Sequence, residues 1–326
     1  MAPVNNLSDQ VRAVRRTAGL LDEFPRKLLA VRGDDRVKFL HNLVTHDIKG
    51  LSPGQGRPAC LLDRQGKIRV VFLVHARPDE LILEMDPSHF TPAREALGKF
   101  LVSEAVEFAE VTDQYRIIPL HGPAAEQILA GAWREDPPGS EICFIFRWNL
   151  FHLPGVHLWI KPESEPAVRK KLLEQGKSFQ IQTIGREAFE VLRIEAGVPW
   201  PGAEIDETVI LNELGTEEFV SFTKGCFIGQ EIVARIKYRA HPPRLLKGFL
   251  LEGTVPADPK SPLWLSGKPV GTVTSSCFSP TLNQAIALGF LNFGVEEKGF
   301  TVQTRQGTVP AALTQIPFVK TGSPAT

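Results

Sequence analysis

Cysteine is scarce in this chain of 326 residues: only Cys60, Cys143, Cys226 and Cys277 occur, all far apart. There is no C-x-x-C pair and no Cys/His ligand spacing. Neither a structural zinc site nor a self-contained iron–sulfur site is therefore encoded locally, and no metal ligands are expected. So few thiols suit a reducing compartment better than a secreted disulfide scaffold. An excess of one charge sign is missing too. Thirty-seven basic residues balance thirty-seven acidic ones, which leaves no global field to attract nucleic acid or an anionic membrane. No apolar run reaches the roughly eighteen residues of a membrane span, and the N-terminus lacks an apolar signal core. Arg12, Arg15 and Arg16 hint at a transit peptide, but Asp9, Asp22 and Glu23 argue against one. The expectation is a cytoplasmic protein with no membrane and no direct nucleic-acid partner.

Apolar content of 43% and charged content of 23% are those of an ordinary globular chain. The length allows two or three domains with a substantial core. Residues 1–24 read as a mobile arm and Lys27 to Arg32 as the first strand. A helix face follows at Val37, Leu40 and Val44. A hairpin runs Ala59 to Asp63, turns at Arg64 to Lys67, and returns over Ile68 to His75. Leu81 to Met85 and Val106 to Val111 read as strands, with a helix opened by Pro92 between them. A second strand, glycine turn and helix recur at Tyr115 to Leu129, which suggests two similar α+β halves. Ile142 to Phe146 and Val156 to Ile160 add strands; Pro166 to Glu174 and Gly185 to Ala196 add helices. After His241-Pro242-Pro243, five short alternating segments between Leu246 and Ala312 suggest a small antiparallel barrel. The expected division is residues 1–242, with the two α+β halves possibly interleaved, and residues 243–326.

Chemistry is concentrated in F-T-K-G-C-F-I-G-Q-E-I-V-A-R-I-K-Y-R, Phe222 to Arg239. Ile228, Ile232 and Ile236 recur at four-residue spacing, so a helix is expected with Gln230, Glu231, Arg235 and Lys237 on its polar face. Cys226 then precedes a helix N-terminus with Lys224 two residues before it, and both features favour a thiolate. Gly225 and Gly229 allow backbone conformations closed to other residues. The bland alternative is a small buried thiol with Glu231 and Arg235 as a surface i,i+4 pair. Arg235, Lys237, Arg239 and Arg244 form a local basic cluster or, equally, a solvated face.

The run K-G-C-F-I-G-Q-E, Lys224 to Glu231, resembles the signature of the folate-binding YgfZ family, relatives of the glycine-cleavage T-protein (aminomethyltransferase). R-I-E-A-G-V-P, Arg193 to Pro199, resembles their folate-contacting segment. F-L-H-N-L-V-T-H-D-I with L-L-D-R-Q-G-K-I resembles their N-terminal half. The resemblance implies an α+β fold: two related α+β domains in a T-protein-like folate-binding ring, plus a C-terminal antiparallel β-barrel.

It also implies tetrahydrofolate, or a one-carbon derivative, as cofactor. Glu195 would accept the pterin N–H donors, while Gly225, Gly229, Gln230 and Glu231 would border the ligand; from charge alone, Arg235, Lys237 or Arg239 would meet the anionic glutamate tail. Cys226 and Lys224 would be the functional thiol and its cation partner. Asn42, Thr45 and Asp63 lie in family-like segments but read more simply as helix and turn residues. The aminomethyltransferases carry G-G-I-x-D-D on the hairpin; here Gly66 to Val71 places Val70 and Val71 at the two aspartate positions. The group expected to handle charge development is absent, so aminomethyltransferase activity is not expected. The implied function is support of iron–sulfur cluster assembly or repair in client proteins by a folate-binding monomer, with an indirect effect on tRNA modification. The alternative is a folate-dependent one-carbon transferase or demethylase. A folate-free scaffold is the blandest reading.

Overall fold

Asn6 accepts a hydrogen bond from the Ser8 amide at 3.3 Å and starts helix α1, Leu7–Arg16. The computed structural model containing it describes residues 6–134, 141–295 and 298–320. Val11, Ala13 and Val14 form the buried face of α1, and a fully buried strand β1, Gly19–Leu21, follows. Residues 7–21 are therefore core rather than a mobile arm; residues 1–5 lie outside the described part. A three-residue strand is too short to show alternation, and its backbone partners come from remote segments.

The chain folds as two compact units, each drawn from separated stretches. One contains Pro25–Asp113 and Trp200–Leu246. Its strands are β2 (Lys27–Arg32), β3 (Gly56–Leu62), β4 (Ile68–Ala76), β5 (Glu80–Met85) and β6 (Glu107–Glu110), in sheet order β3-β4-β5-β2-β6. Neighbours pair antiparallel. Helices α2 (Arg36–Leu43) and α3 (Pro87–Gly98) cover one face. There Phe39, Leu40, Phe90 and Leu97 pack on Leu29, Val31, Val70, Phe72 and Leu83. Pro92 does not open α3. Asp86 caps the helix by accepting from the Ser88 amide at 3.0 Å, Pro87 takes the first turn, and Pro92 sits inside. The Asp-Pro-Ser start is the stronger signal.

The other unit contains Met1–Phe24, Gln114–Pro199 and Lys247–Thr326. Strands β7 (Arg116–His121), β8 (Ile142–Arg147), β9 (Gly155–Ile160) and β10 (Gln182–Ile184) join β1 in the order β10-β1-β7-β9-β8. Only β1–β10 is parallel. Helices α4 (Ala125–Ala132) and α5 (Glu165–Gly176) cover this sheet with Ile128, Leu129, Val168 and Leu172. The repeated strand, glycine turn and helix thus build two helix-plus-sheet domains. Helix α6, Arg186–Glu195, packs on the barrel, and α7, Gln230–Arg239, belongs to the first-described unit.

The barrel is closed by six strands: β11 (Arg244–Leu251), β12 (Pro262–Leu265), β13 (Lys268–Ser279), β14 (Gln284–Asn292), β15 (Phe300–Thr304) and β16 (Gly307–Thr314). Sequence pattern missed β12, a four-residue strand opened by a proline. Leu263, Val273, Phe249 and Phe300 fill its interior.

Glu195 ends α6 fully buried. Arg15 of α1 donates from Nε to its Oε2 at 3.1 Å, with Nη2 of the same arginine 2.9 Å from that oxygen. Ser279 at the end of β13 donates to Oε1 at 2.5 Å. The carboxylate thus joins two helices to the barrel. Removing one partner of a buried ion pair strands the other charge. Arg15→Ala is therefore expected to lower the unfolding free energy by about 3 kcal/mol, read from the urea midpoint; an unchanged midpoint would show that the pair contributes nothing.

Candidate functional site

Thr45, just past the end of α2, is fully buried and makes four hydrogen bonds. Its hydroxyl donates to the Phe219 carbonyl at 2.5 Å and accepts from the Cys60 amide at 2.8 Å. Its own amide donates to Cys60 O at 3.0 Å, and its carbonyl accepts from the Ser221 amide at 3.0 Å. One short polar side chain therefore pins the segment before the signature loop to α2 and β3. The Cys60 thiol is buried beside it, and desolvation pushes its pKa far up, so it is inert packing.

Lys224 enters the same corner. Its ammonium donates to the Val44 carbonyl at 2.5 Å and to the His41 carbonyl, both at the C-terminal end of α2, where unsatisfied carbonyls attract a cation. It also stands 5.2 Å from the centre of the Phe227 ring. Burial lowers its pKa from 10.5 to about 8, partly opposed by Asp47 and Cys226. Lys224 thus anchors the loop to α2, a role that the reading of it as a partner for the thiol did not include. His41 is buried on the other side, its Nδ1 accepting from the Ile48 amide at 3.3 Å with Asp47 Oδ1 3.2 Å away. Desolvation, then Lys224, keeps this imidazole below its usual pKa. His46 is also lowered, by burial and then Arg57. Both histidines lie in the F-L-H-N-L-V-T-H-D-I run; the spacing gave no reason to single them out.

Cys226 is exposed. Helix α7 begins at Gln230 with Gly229 as its N-cap, so Cys226 is separated from the helix by Phe227, Ile228 and Gly229. The expected helix face beginning at Ile228 is corrected accordingly: Ile228 lies before the helix and packs on the core of α2, α3 and their sheet. Gly229 has φ +79°, and a Cβ there would stand 2.5 Å from the Asp63 carbonyl oxygen. Gly225 needs no such freedom, because the space a Cβ would enter is open.

The hairpin opposite Gly229 is held by Asp63, whose Oδ1 accepts from the Gln65 and Lys67 amides at 2.9 and 3.0 Å. Gln230 is half-buried, and Glu231 and Arg235 are exposed. Among the described residues none of the three has a side-chain hydrogen bond or ion pair, so Gln230 and Glu231 do not tie the loop together, nor do Glu231 and Arg235 pair. Lys237 pairs with Glu217 and covers the Phe222 ring at 5.5 Å. Asn42 is exposed on α2. Val70 is buried in the helix-covered core and Val71 half-buried on the other face of β4. Neither side chain supplies an acid.

Glu195 lies in the other unit, held by Arg15 and Ser279 as described. Arg15 was missed because nothing local marks an arginine as the partner of a residue 180 positions away. Among the described residues no His/Cys/Asp/Glu cluster suited to a metal ion is present, and no helix is long and apolar enough to cross a membrane.

A family model described as the GCVT N-terminal domain matches residues 4–159 and 139–224, and one described as the glycine cleavage T-protein C-terminal barrel domain matches 244–320. An aminomethyltransferase of Rubrobacter xylanophilus is 30% identical over 94% of this chain and 85% of its own length. One of Desulfitobacterium hafniense is 28% identical over 87% and 81%, and one of Thermus thermophilus 28% over 94% and 88%. The crystal structure of glycine cleavage system aminomethyltransferase T from Bartonella henselae matches with a TM-score of 0.85 at 22% identity. It covers 98% of this chain and 91% of its own; at that identity the likeness is one of fold.

Two outcomes are expected from this geometry. Gly229→Ala forces a left-handed backbone on alanine and a clash with Asp63, lowering stability by about 2 kcal/mol in urea unfolding; a wild-type midpoint would contradict the close approach. Lys224 has a folded pKa of about 8 against 10.5 unfolded. Between those values the unfolded chain binds more protons, so the lysine's contribution to stability rises with pH across that window. Unfolding midpoints compared on either side of pH 8 should show this rise in wild type and lose it in Lys224→Met; a pH dependence shared by the variant would refute the assignment.

Proposed function

We propose, since this chain belongs to the glycine cleavage T-protein family, that it binds a reduced folate and acts on the one-carbon unit carried by it. The observation that carries this reading is the extent of the match: both domain models are present in order, and aminomethyltransferase relatives are covered over more than four-fifths of their length. Tetrahydrofolate, or a one-carbon derivative, is the ligand class. In this reading Glu195 accepts the pterin ring N–H and amino donors. Oε1 keeps a further lone pair beyond the bond from Ser279, while Oε2 faces two nitrogens of Arg15. Because Glu195 is fully buried, that contact requires Arg15 or the end of β13 to yield.

Val70 and Val71 favour a second reading. An apolar pair at the positions where the aminomethyltransferases carry aspartates leaves no acid on β4 to manage charge at a folate nitrogen. In this reading folate is held without turnover and the protein supports iron–sulfur cluster assembly or repair in client proteins, with tRNA modification affected only through cluster-containing enzymes. The exposed Cys226, in the run that resembles the YgfZ signature, is then the functional thiol, with Lys224 holding its loop.

Anaerobic calorimetry with tetrahydrofolate tests the common core. Wild type should bind, and Glu195→Gln should bind at least about tenfold more weakly, the worth of one charge-assisted hydrogen bond. A Ser279→Ala control separates loss of the ligand contact from loss of the α6–barrel joint. Absence of binding by wild type sinks both readings. Folate-dependent consumption of an aminomethyl or N-methyl donor selects the first; binding without turnover, with client cluster activity lost in Cys226→Ser, selects the second.

A further inference from the structure

Beside the signature loop is a cleft of about 380 Å³, formed by the turn end of the β3–β4 hairpin, the C-terminal turn of α3 and Ile228. It lies within one compact unit. Its apolar walls are Leu61, Leu62, Ala96, Phe100 and Ile228, and its size is that of a pocket for one ligand or one bulky side chain.

The rim is charged and unbalanced. Arg69 is already compensated: Nη2 lies 3.3 Å from Asp63 and Nη1 3.6 Å from Glu207. Arg64 and Lys99 also line the cleft, and among the described residues neither has an ion-pair partner. An occupant with an apolar body and negative charge beside it therefore satisfies both surfaces. A second observation decides what kind of occupant. Phe100 is 42% exposed, and Val102, two residues further on, is 88% exposed. Phe100, on the cleft wall, thus presents apolar surface to solvent, as expected where another polypeptide sits.

We infer that this cleft docks a partner protein through an apolar side chain flanked by acidic residues. The inference rests on the cleft and its rim, not on either reading of the folate chemistry. Its consequence for function is placement: Cys226 precedes the cleft-lining Ile228 by two residues, so a docked partner contacts the loop that bears the exposed thiol.

Selection from a displayed library of random peptides against the full chain tests the proposal. Recovered sequences should share one large apolar residue flanked by Asp or Glu. A synthetic peptide of that consensus, followed by fluorescence anisotropy, should bind more weakly by at least about tenfold to Arg64→Glu/Lys99→Glu and to a cleft-filling Ala96→Leu. Its counterpart with lysines for the acids should bind wild type no better than it binds these variants. Three results overturn the inference: recovered peptides without acidic enrichment, including no recovery; octanoate binding in the cleft, lost in the same variants, with no peptide bound; or a concentration-dependent dimer dissolved by Phe100→Ser, which assigns the surface to a second copy.

Discussion

The signature loop depends on a buried polar corner built around Thr45. A threonine hydroxyl is one donor and an acceptor on a short stem, and here both functions are used between segments far apart in sequence. Its backbone adds two more bonds to the same neighbours. Leaving any of these groups unpaired inside the core would cost about 1–3 kcal/mol each. The corner therefore exists as a complete set or not at all. Lys224 completes it by giving its ammonium to the carbonyls that end α2, at the expense of its own hydration, and the lowered pKa records that expense. The loop that bears Cys226 starts from this anchored lysine and is fixed again at Gly229 against the hairpin turn, so an exposed thiol stands between two rigid posts.

The same logic of remote closure governs the other unit. Glu195 is held by an arginine from α1 and a serine from β13, and its backbone carbonyl accepts from the Phe318 and Val319 amides at 2.9 and 3.3 Å. Four separated pieces of chain meet at one residue. A carboxylate buried this thoroughly has its orientation fixed by the fold itself. The cost is that the same oxygens are already serving the fold. The proposed pterin contact would set recognition against structure at one side chain, which makes a conservative Glu195→Gln more informative than a deletion to alanine.

Much of the fold was legible because its signals are local. The hairpin from Ala59 to His75, the helices near Pro166 and Gly185, and the repeated strand, glycine turn and helix announce themselves through periodicity and turn residues. What stayed hidden is non-local. β1 is three residues long and is a strand only because β7 and β10 flank it; α1 reads as charged because only Val11, Ala13 and Val14 face inward. At the site, the special residue types of the loop were visible, but their partners were not. Nothing in the sequence says that Lys224 reaches carbonyls 180 and 183 residues away, or that helix α7 waits until after Gly229.

The two valines carry the strongest constraint on chemistry. Val70 faces the helix-covered core among Leu61 and Phe72, so an aspartate substituted there would be an acid buried among apolar side chains, while Val71 lies on the opposite, half-buried face of β4. The two positions thus differ in what an acid would meet: desolvation at Val70, partial water access at Val71. An acid restored at Val71 is the one able to ionise at neutral pH. A folate enzyme of this family that dispenses with both must manage charge at the transferred unit by another group, and no other acid on β4 is available. Either that group lies outside the strand, or the chain has kept the family's architecture for a purpose in which such charge never develops. Cys226 stands exposed in a loop fixed at Lys224 on one side and Gly229 on the other.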